Sequence, residues 1–331
     1  MLRAAFSLLF TLLLLTACSP PAGDASVETS TEGVDIPYEI VCTVGMVGDL
    51  ARNVAGDRAT VKTIMGEGID PHLYKATRDD VAAMSRADVV FYAGLLLEGK
   101  MQDLLVQLGR GRPVVAVTSN LDEATLLEPD GGAGHPDPHV WMDPDAWARC
   151  VEIVRATLSA FDPAGAAGYA ERAAAYEAEI RSLGDYGREV LATVPEDRRV
   201  LITSHDAFSY FGRAFGLDVR GIQGLSTESE AGLQHMNELV DLLVNRQIEA
   251  VFVETSVPQK SVEALRNGAR QRGREVAVGG TLYSDAMGAP GTYEGTYVGM
   301  LDHNITTVAR ALGGDAPEAG VNGKLGGAAP E

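Results

Sequence analysis

Three of the six histidines and one aspartate stand where a metal cage could form. His72 closes Gly68-Ile69-Asp70-Pro71-His72 after a strand-like run, and His205 directly follows another in Leu201-Ile202-Thr203-Ser204-His205. His139 lies in the loop segment Asp137-Pro138-His139-Val140-Trp141-Met142-Asp143-Pro144, ahead of a helical pattern. Asp285 closes Thr281-Leu282-Tyr283-Ser284-Asp285. Parallel α/β proteins place ligands just past the carboxyl ends of their strands. Imidazole nitrogen is a borderline donor and a carboxylate adds charge that helps hold a dication, so this quartet can enclose one divalent transition metal. Taken singly, each histidine reads more simply as a surface residue or a satisfied buried one. Nothing here has the local signature that His-Glu-x-x-His gives a metalloprotease.

The remaining candidates carry less. His135, in the Gly-rich stretch 131–136, reads as flexible surface, with a transient metal-catching role as the alternative. His235 and His303 fall in helical patterns and read as structural or solvated. Asp143 before Pro144 reads as a helix cap. Asp206 and Glu254 are candidates to orient a ligating imidazole. Cys42 and Cys150 read as buried free thiols, and three cysteines are too few for a disulfide framework.

The elements that must position these residues repeat one rhythm twice. Strand-like runs come at 39–44, 60–65, 88–93 and 114–118, with helical patterns such as 46–54 and 101–108 between them. A second set comes at 200–203, 218–222, 250–253 and 275–278, separated by helical stretches such as 229–245 and 259–272. Alternating strands and helices imply βαβ units and parallel sheets flanked by helices. The expected fold is α/β, with a metal-binding lobe over 37–163, a linker helix over 164–194 and a second lobe over 195–313, each lobe carrying a roughly four-stranded parallel sheet. In the linker, Tyr169, Ala173, Tyr176, Ile180, Leu183, Val190 and Val194 fall on one helical face, one step landing on Gly187. Asp162-Pro163 supplies a start and Pro195 a stop; two shorter helices broken near Gly184 or Gly187 are the alternative. Residues 314–331, rich in Gly, Ala and Pro, read as a flexible tail.

The N-terminus reads as an address. A basic start, a short apolar run over 4–15 and small residues before Cys18 describe a secretory signal over 1–17. Leu15-Thr16-Ala17-Cys18 resembles the bacterial lipobox, which implies cleavage before Cys18 and lipid on its thiol. Residues 18–36 read as a flexible tether. Losing Arg3 and no acid takes the net charge from −19 to −20. That acidity argues against nucleic acid as a partner, since phosphate binding needs clustered Lys and Arg. The composition, 46% hydrophobic and 22% charged, excludes a disordered or multi-span membrane chain.

A resemblance draws these threads together. Gly66-Glu67-Gly68-Ile69-Asp70-Pro71-His72, Asp137 to Asp143, and Ser204-His205-Asp206-Ala207-Phe208-Ser209-Tyr210-Phe211 match the metal-specific solute-binding proteins of ABC importers, the TroA/PsaA/ZnuA group. So do the stretches 224–232 and 283–288, and the resemblance spans residues 39–312. It implies that His72, His139, His205 and Asp285 are the metal ligands, in a cleft between two lobes joined by one long helix. It also implies a lipid-anchored monomer outside the cytoplasmic membrane that hands its ion to a permease driven by an ATPase subunit. No catalytic cofactor is implied. Three histidines with an aspartate, and the run 291–300, resemble the branch that takes manganese and/or zinc, with iron behind them. The rival readings are a surface adhesin or metal-buffering lipoprotein, and a secreted metallohydrolase.

Overall fold

The computed structural model describes residues 34–128 and 134–326. The signal, Cys18 and most of the tether lie outside the described residues. Among the described residues, no helix is long and apolar enough to cross a membrane.

The first half carries β1 (Tyr38–Cys42), β2 (Ala59–Thr63), β3 (Val89–Tyr92) and β4 (Val114–Ala116), all parallel, in the order β2-β1-β3-β4. Three helices belong with them: α1 (Gly45–Ala55), α2 (Arg78–Arg86) and α3 (Gln102–Leu108). Strand β1 is one of the two inner strands and almost wholly buried, as expected of a parallel strand covered on both faces. Helix α2 starts with a capping box, Thr77 and Asp80 each accepting the other's backbone N–H.

Helix α4 (Pro144–Phe161) opens as its sequence predicts, with Asp143 Oδ1 accepting from the Asp145 and Ala146 N–H groups and Pro144 at the first helical position. A short turn then leads into α5 (Ala166–Leu191), the predicted linker. Its 26 residues form one unbroken helix, about 39 Å long at 1.5 Å per residue. Tyr169, Ala173, Tyr176, Ile180, Leu183 and Val190 are all buried, as the periodicity predicts. Near its start α5 is tied to α1, through Tyr176 donating to Asp49 and Arg172 donating to the Val54 and Ala55 carbonyls.

Gly184 and Gly187 do not break α5; they let it approach its neighbours. A Cβ on Gly187 would lie 2.5 Å from Phe215 Cε1 and 2.9 Å from Ile305 Cδ1. Gly187→Ala should therefore destabilise the protein. Overpacking costs about 1–3 kcal/mol, and the helix propensity gained is at most ~1 kcal/mol. Chemical denaturation reads the net sign, and a stabilised variant would refute the close packing.

The second half carries β5 (Val200–His205), β6 (Asp218–Gln223), β7 (Ala250–Glu254) and β8 (Ala277–Leu282). Its helices are α6 (Ser209–Phe215), α7 (Leu233–Asn245), α8 (Lys260–Gln271) and α9 (Tyr297–Ala311). The four strands form two parallel ladders, β5–β6 and β7–β8, and β5 lies against β7. A buried cluster of β5, β6, β7, α7 and α8 side chains fills this half, while a larger one runs from the first sheet through α5 to α9.

Residues 314–326, expected as part of a flexible tail, pack on α9 instead. Asp302, fully buried, accepts from the Val321 N–H at 3.1 Å and from Tyr293 Oη at 2.9 Å. Gly320 has a φ of +72°, and a Cβ there would lie 2.3 Å from Asp302 Oδ2. Glycine here answers a close approach to a buried carboxylate, so composition alone misreads the segment.

Candidate metal centre

The site lies beyond the carboxyl ends of both strand sets. His72 stands on the loop after β2, and Asp70 holds that loop by accepting the His72 N–H at 2.8 Å. His139 follows β4 at the head of the short turn Val140–Met142. His205 is the last residue of β5, in register with Gln223, one step earlier than the sequence places it relative to the strand end. Asp285 comes just after β8.

One donor atom from each of these residues lies within 4.8 Å of the other three, and all four residues are buried. His72 is the most exposed at 7%. The His72 and His139 Nε2 atoms are 3.3 Å apart. Asp285 Oδ1 stands 3.4 Å from His139 Nε2, and Oδ2 stands 3.3 Å from His205 Nε2 and 3.9 Å from His72 Nε2. A tetrahedral ion bound at ~2.0–2.1 Å separates its donors by about 3.4 Å. The spacing therefore suits a shared cation better than direct bonds among the side chains. Both Asp285 oxygens and His205 Nε2 are buried without a hydrogen-bond partner, an arrangement that native interiors rarely tolerate unless something else binds there.

Two carboxylates aim the imidazoles. Asp137 Oδ1 accepts from His139 Nδ1 at 2.7 Å and from the His139 N–H at 2.9 Å. Glu254, at the end of β7, does the same for His205, with Oε2 on Nδ1 at 2.5 Å and Oε1 on the backbone N–H at 2.9 Å. Each leaves Nε2 turned to the centre and makes it a better donor. Glu254 is one of the two acceptors picked from the sequence. Asp206, the other, takes the Ser209 hydroxyl at 2.7 Å and orients no imidazole. Asp137 plays that part for His139, and the Asp-Pro-His spacing, which Asp70 and His72 share, does not by itself single it out.

The electrostatics follow from burial against pairing. Burial disfavours charge on His205, but Glu254 and Asp285 outweigh it and raise its pKa well above 6.5. Burial likewise opposes charge on Asp285, yet the facing histidines, His205 foremost, hold its carboxyl far below the usual range. On His72 burial wins, and its pKa falls to about 4.

The other histidines stay outside the quartet. His135 lines a cavity of about 270 Å³ above His72, with Leu95, Leu96, Pro138 and Leu225. His235 and His303 are turned to the Gly221 and Thr281 carbonyls. Cys42 and Cys150 are buried and free, as expected.

Residues 40–311 match the family model described as "ZnuA: Zinc-uptake complex component A periplasmic". The chain belongs to this family. Among its relatives is a Bacillus subtilis (strain 168) protein named manganese-binding lipoprotein MntA, 42% identical over 92% of this chain and 97% of its own. The zinc-binding protein TroA of Treponema pallidum (strain Nichols) is 43% identical over 82% of this chain and 88% of its own. The solved structure of the periplasmic zinc-binding protein TroA from Treponema pallidum superposes with a TM-score of 0.81, covering 83% of this chain and 99% of that one.

Proposed function

We propose that this member of the family is the extracytoplasmic solute-binding component of an ABC importer. It captures Mn²⁺ and/or Zn²⁺ with His72, His139, His205 and Asp285 and delivers the ion to a membrane permease powered by an ATPase subunit. The observation that carries this reading is the buried quartet, whose spacing and unpartnered donor atoms suit one small dication. The names of the two relatives support both metals. Zinc outcompetes manganese at almost any mixed nitrogen and oxygen site, so affinity in vitro does not name the cargo. Four protein donors fill a tetrahedral set and leave no open position for an activated water, which supports a carrier and not an enzyme. The deciding experiment pairs the metal content of protein purified from its own cells with uptake of labelled manganese and zinc after deletion of the gene. Uptake of both ions at the normal rate would end this reading.

We also propose that the mature chain is a monomer anchored by lipid on Cys18. The supporting feature is the Leu-Thr-Ala-Cys segment behind a short apolar run. Labelled fatty acid should be incorporated into the chain and not into Cys18→Ser. A natural chain that takes up no label would refute the anchor.

A further inference from the structure

The ligands of this centre do not all hang on independent loops. Trp141, fully buried, lies two residues past His139, and its indole stands edge-on to that ring at 5.3 Å. Its Nε1–H crosses to the other half of the protein and donates to the Ser284 carbonyl at 2.9 Å, next to Asp285. Its own carbonyl accepts from the Tyr297 hydroxyl of α9 at 2.8 Å. On the far side, Asn304 of α9 exchanges two bonds with the Tyr283 backbone, at 3.0 and 2.7 Å. The two residues before Asp285 are thus held from both sides, and the His139 turn is fastened to them. Glu254 holds His205 in the same block. His72 differs: its 64–77 loop is tied across the cleft by a half-buried side-chain contact, Thr227 Oγ1 donating to Asp70 Oδ2 at 2.5 Å.

We propose that Trp141 is a positioning residue that fixes Asp285 against His139 before any metal arrives. His139, His205 and Asp285 then form a prebuilt seat, and His72 completes it around the ion. The proposal rests on the metal-binding reading above. Held geometry of this kind raises affinity because the ion does not have to order its own ligands.

Trp147 supplies the control. It packs against Trp141 at 6.4 Å and Tyr297 at 5.9 Å, but its Nε1 has no partner. Trp141→Phe and Trp147→Phe therefore remove similar volume from one aromatic cluster, and only the first removes a bond to the ligand-bearing loop. The measurements are Zn²⁺ affinity by chelator competition, Zn²⁺ dissociation rate, and the visible absorption of bound Co²⁺. Trp141→Phe should weaken Zn²⁺ binding about 10–100-fold, the loss typical of a group that orients a ligand. The loss should come as faster dissociation with an altered Co²⁺ spectrum, while Trp147→Phe stays near the unmodified chain. Tyr297→Phe gives a milder version of the same effect if Trp141→Phe does not fold. Equal losses from both tryptophans would mean packing alone and overturn the proposal. Unchanged Zn²⁺ affinity and Co²⁺ spectrum in Trp141→Phe, or in Tyr297→Phe where that is the variant that folds, would also overturn it, leaving the metal-binding reading intact. An unmodified chain that takes up neither Zn²⁺ nor Co²⁺ would sink both.

Discussion

His205→Ala is expected to weaken Zn²⁺ and Mn²⁺ binding by more than about 100-fold, beyond the loss from removing an orienting partner. His205 Nε2 faces Asp285 at 3.3 Å in a fully buried setting and has no other partner. Alanine removes a donor that no neighbouring side chain replaces, because Glu254 lies behind the ring, bonded to Nδ1. It also leaves the Glu254 carboxylate buried, with one oxygen stripped of its partner. An unsatisfied buried group costs about 1–3 kcal/mol, more when charged, so the metal-free variant should also unfold earlier. The two effects separate experimentally. Chelator competition at a temperature where the variant is folded reads affinity, and a thermal melt without metal reads stability. His205→Ala with wild-type affinity would take His205 out of the centre, however unstable the variant proved.

What could be read from the chain before its fold was known divides along a physical line. Part of the quartet's gathering is legible locally: His205 and Asp285 stand at or just past strand ends, and alternating strands and helices fix where such ends gather. His72 and His139 stand on longer loops and are singled out by the resemblance to the family. The work of the neighbouring carboxylates was not. Asp70-Pro71-His72 and Asp137-Pro138-His139 are the same tripeptide, and in both the aspartate accepts the histidine N–H, at 2.8 and 2.9 Å. Asp137 also reaches its ring, whereas the second oxygen of Asp70 is taken by Thr227, 157 residues away. The local sequence sets the turn and a distant residue sets the role. Glu254 and Asp206 looked alike as acceptors, but β5 lies against β7, so Glu254 meets His205 while Asp206 turns to Ser209. Gly184 and Gly187 read locally as possible breaks in the linker. Only the approach of Phe215 and Pro144 shows that small residues are needed there. The Trp141–Ser284 bond spans 143 residues and has no local trace at all.

Metal capture near neutral pH should release at least one proton per ion, and affinity should keep rising as pH climbs above 7. The proton comes from His205. Burial alone would keep that ring neutral, but Glu254 and Asp285 together lift its pKa well above 6.5, so the metal-free chain carries it charged at neutral pH. Its Nδ1–H stays with Glu254, and the ion must displace the proton on Nε2. Below the raised pKa the competing form dominates, so apparent affinity increases by about tenfold per pH unit for each proton displaced. It levels off once the pH passes that pKa. His72 adds nothing near neutrality, because burial lowers its pKa to about 4 and it waits unprotonated. The histidine spacing alone suggests competition setting in near an ordinary imidazole pKa of roughly 6.5; the buried carboxylates move it upward. Calorimetry in buffers of different ionisation enthalpy counts the protons, and chelator competition across the neutral and mildly alkaline range gives the slope. Glu254→Gln keeps the acceptor oxygen and removes the charge, so it should lower the pH at which affinity levels off. No proton release at pH 7, with affinity flat above it, would mean that His205 is neutral before the metal arrives and that Glu254 orients the ring without charging it.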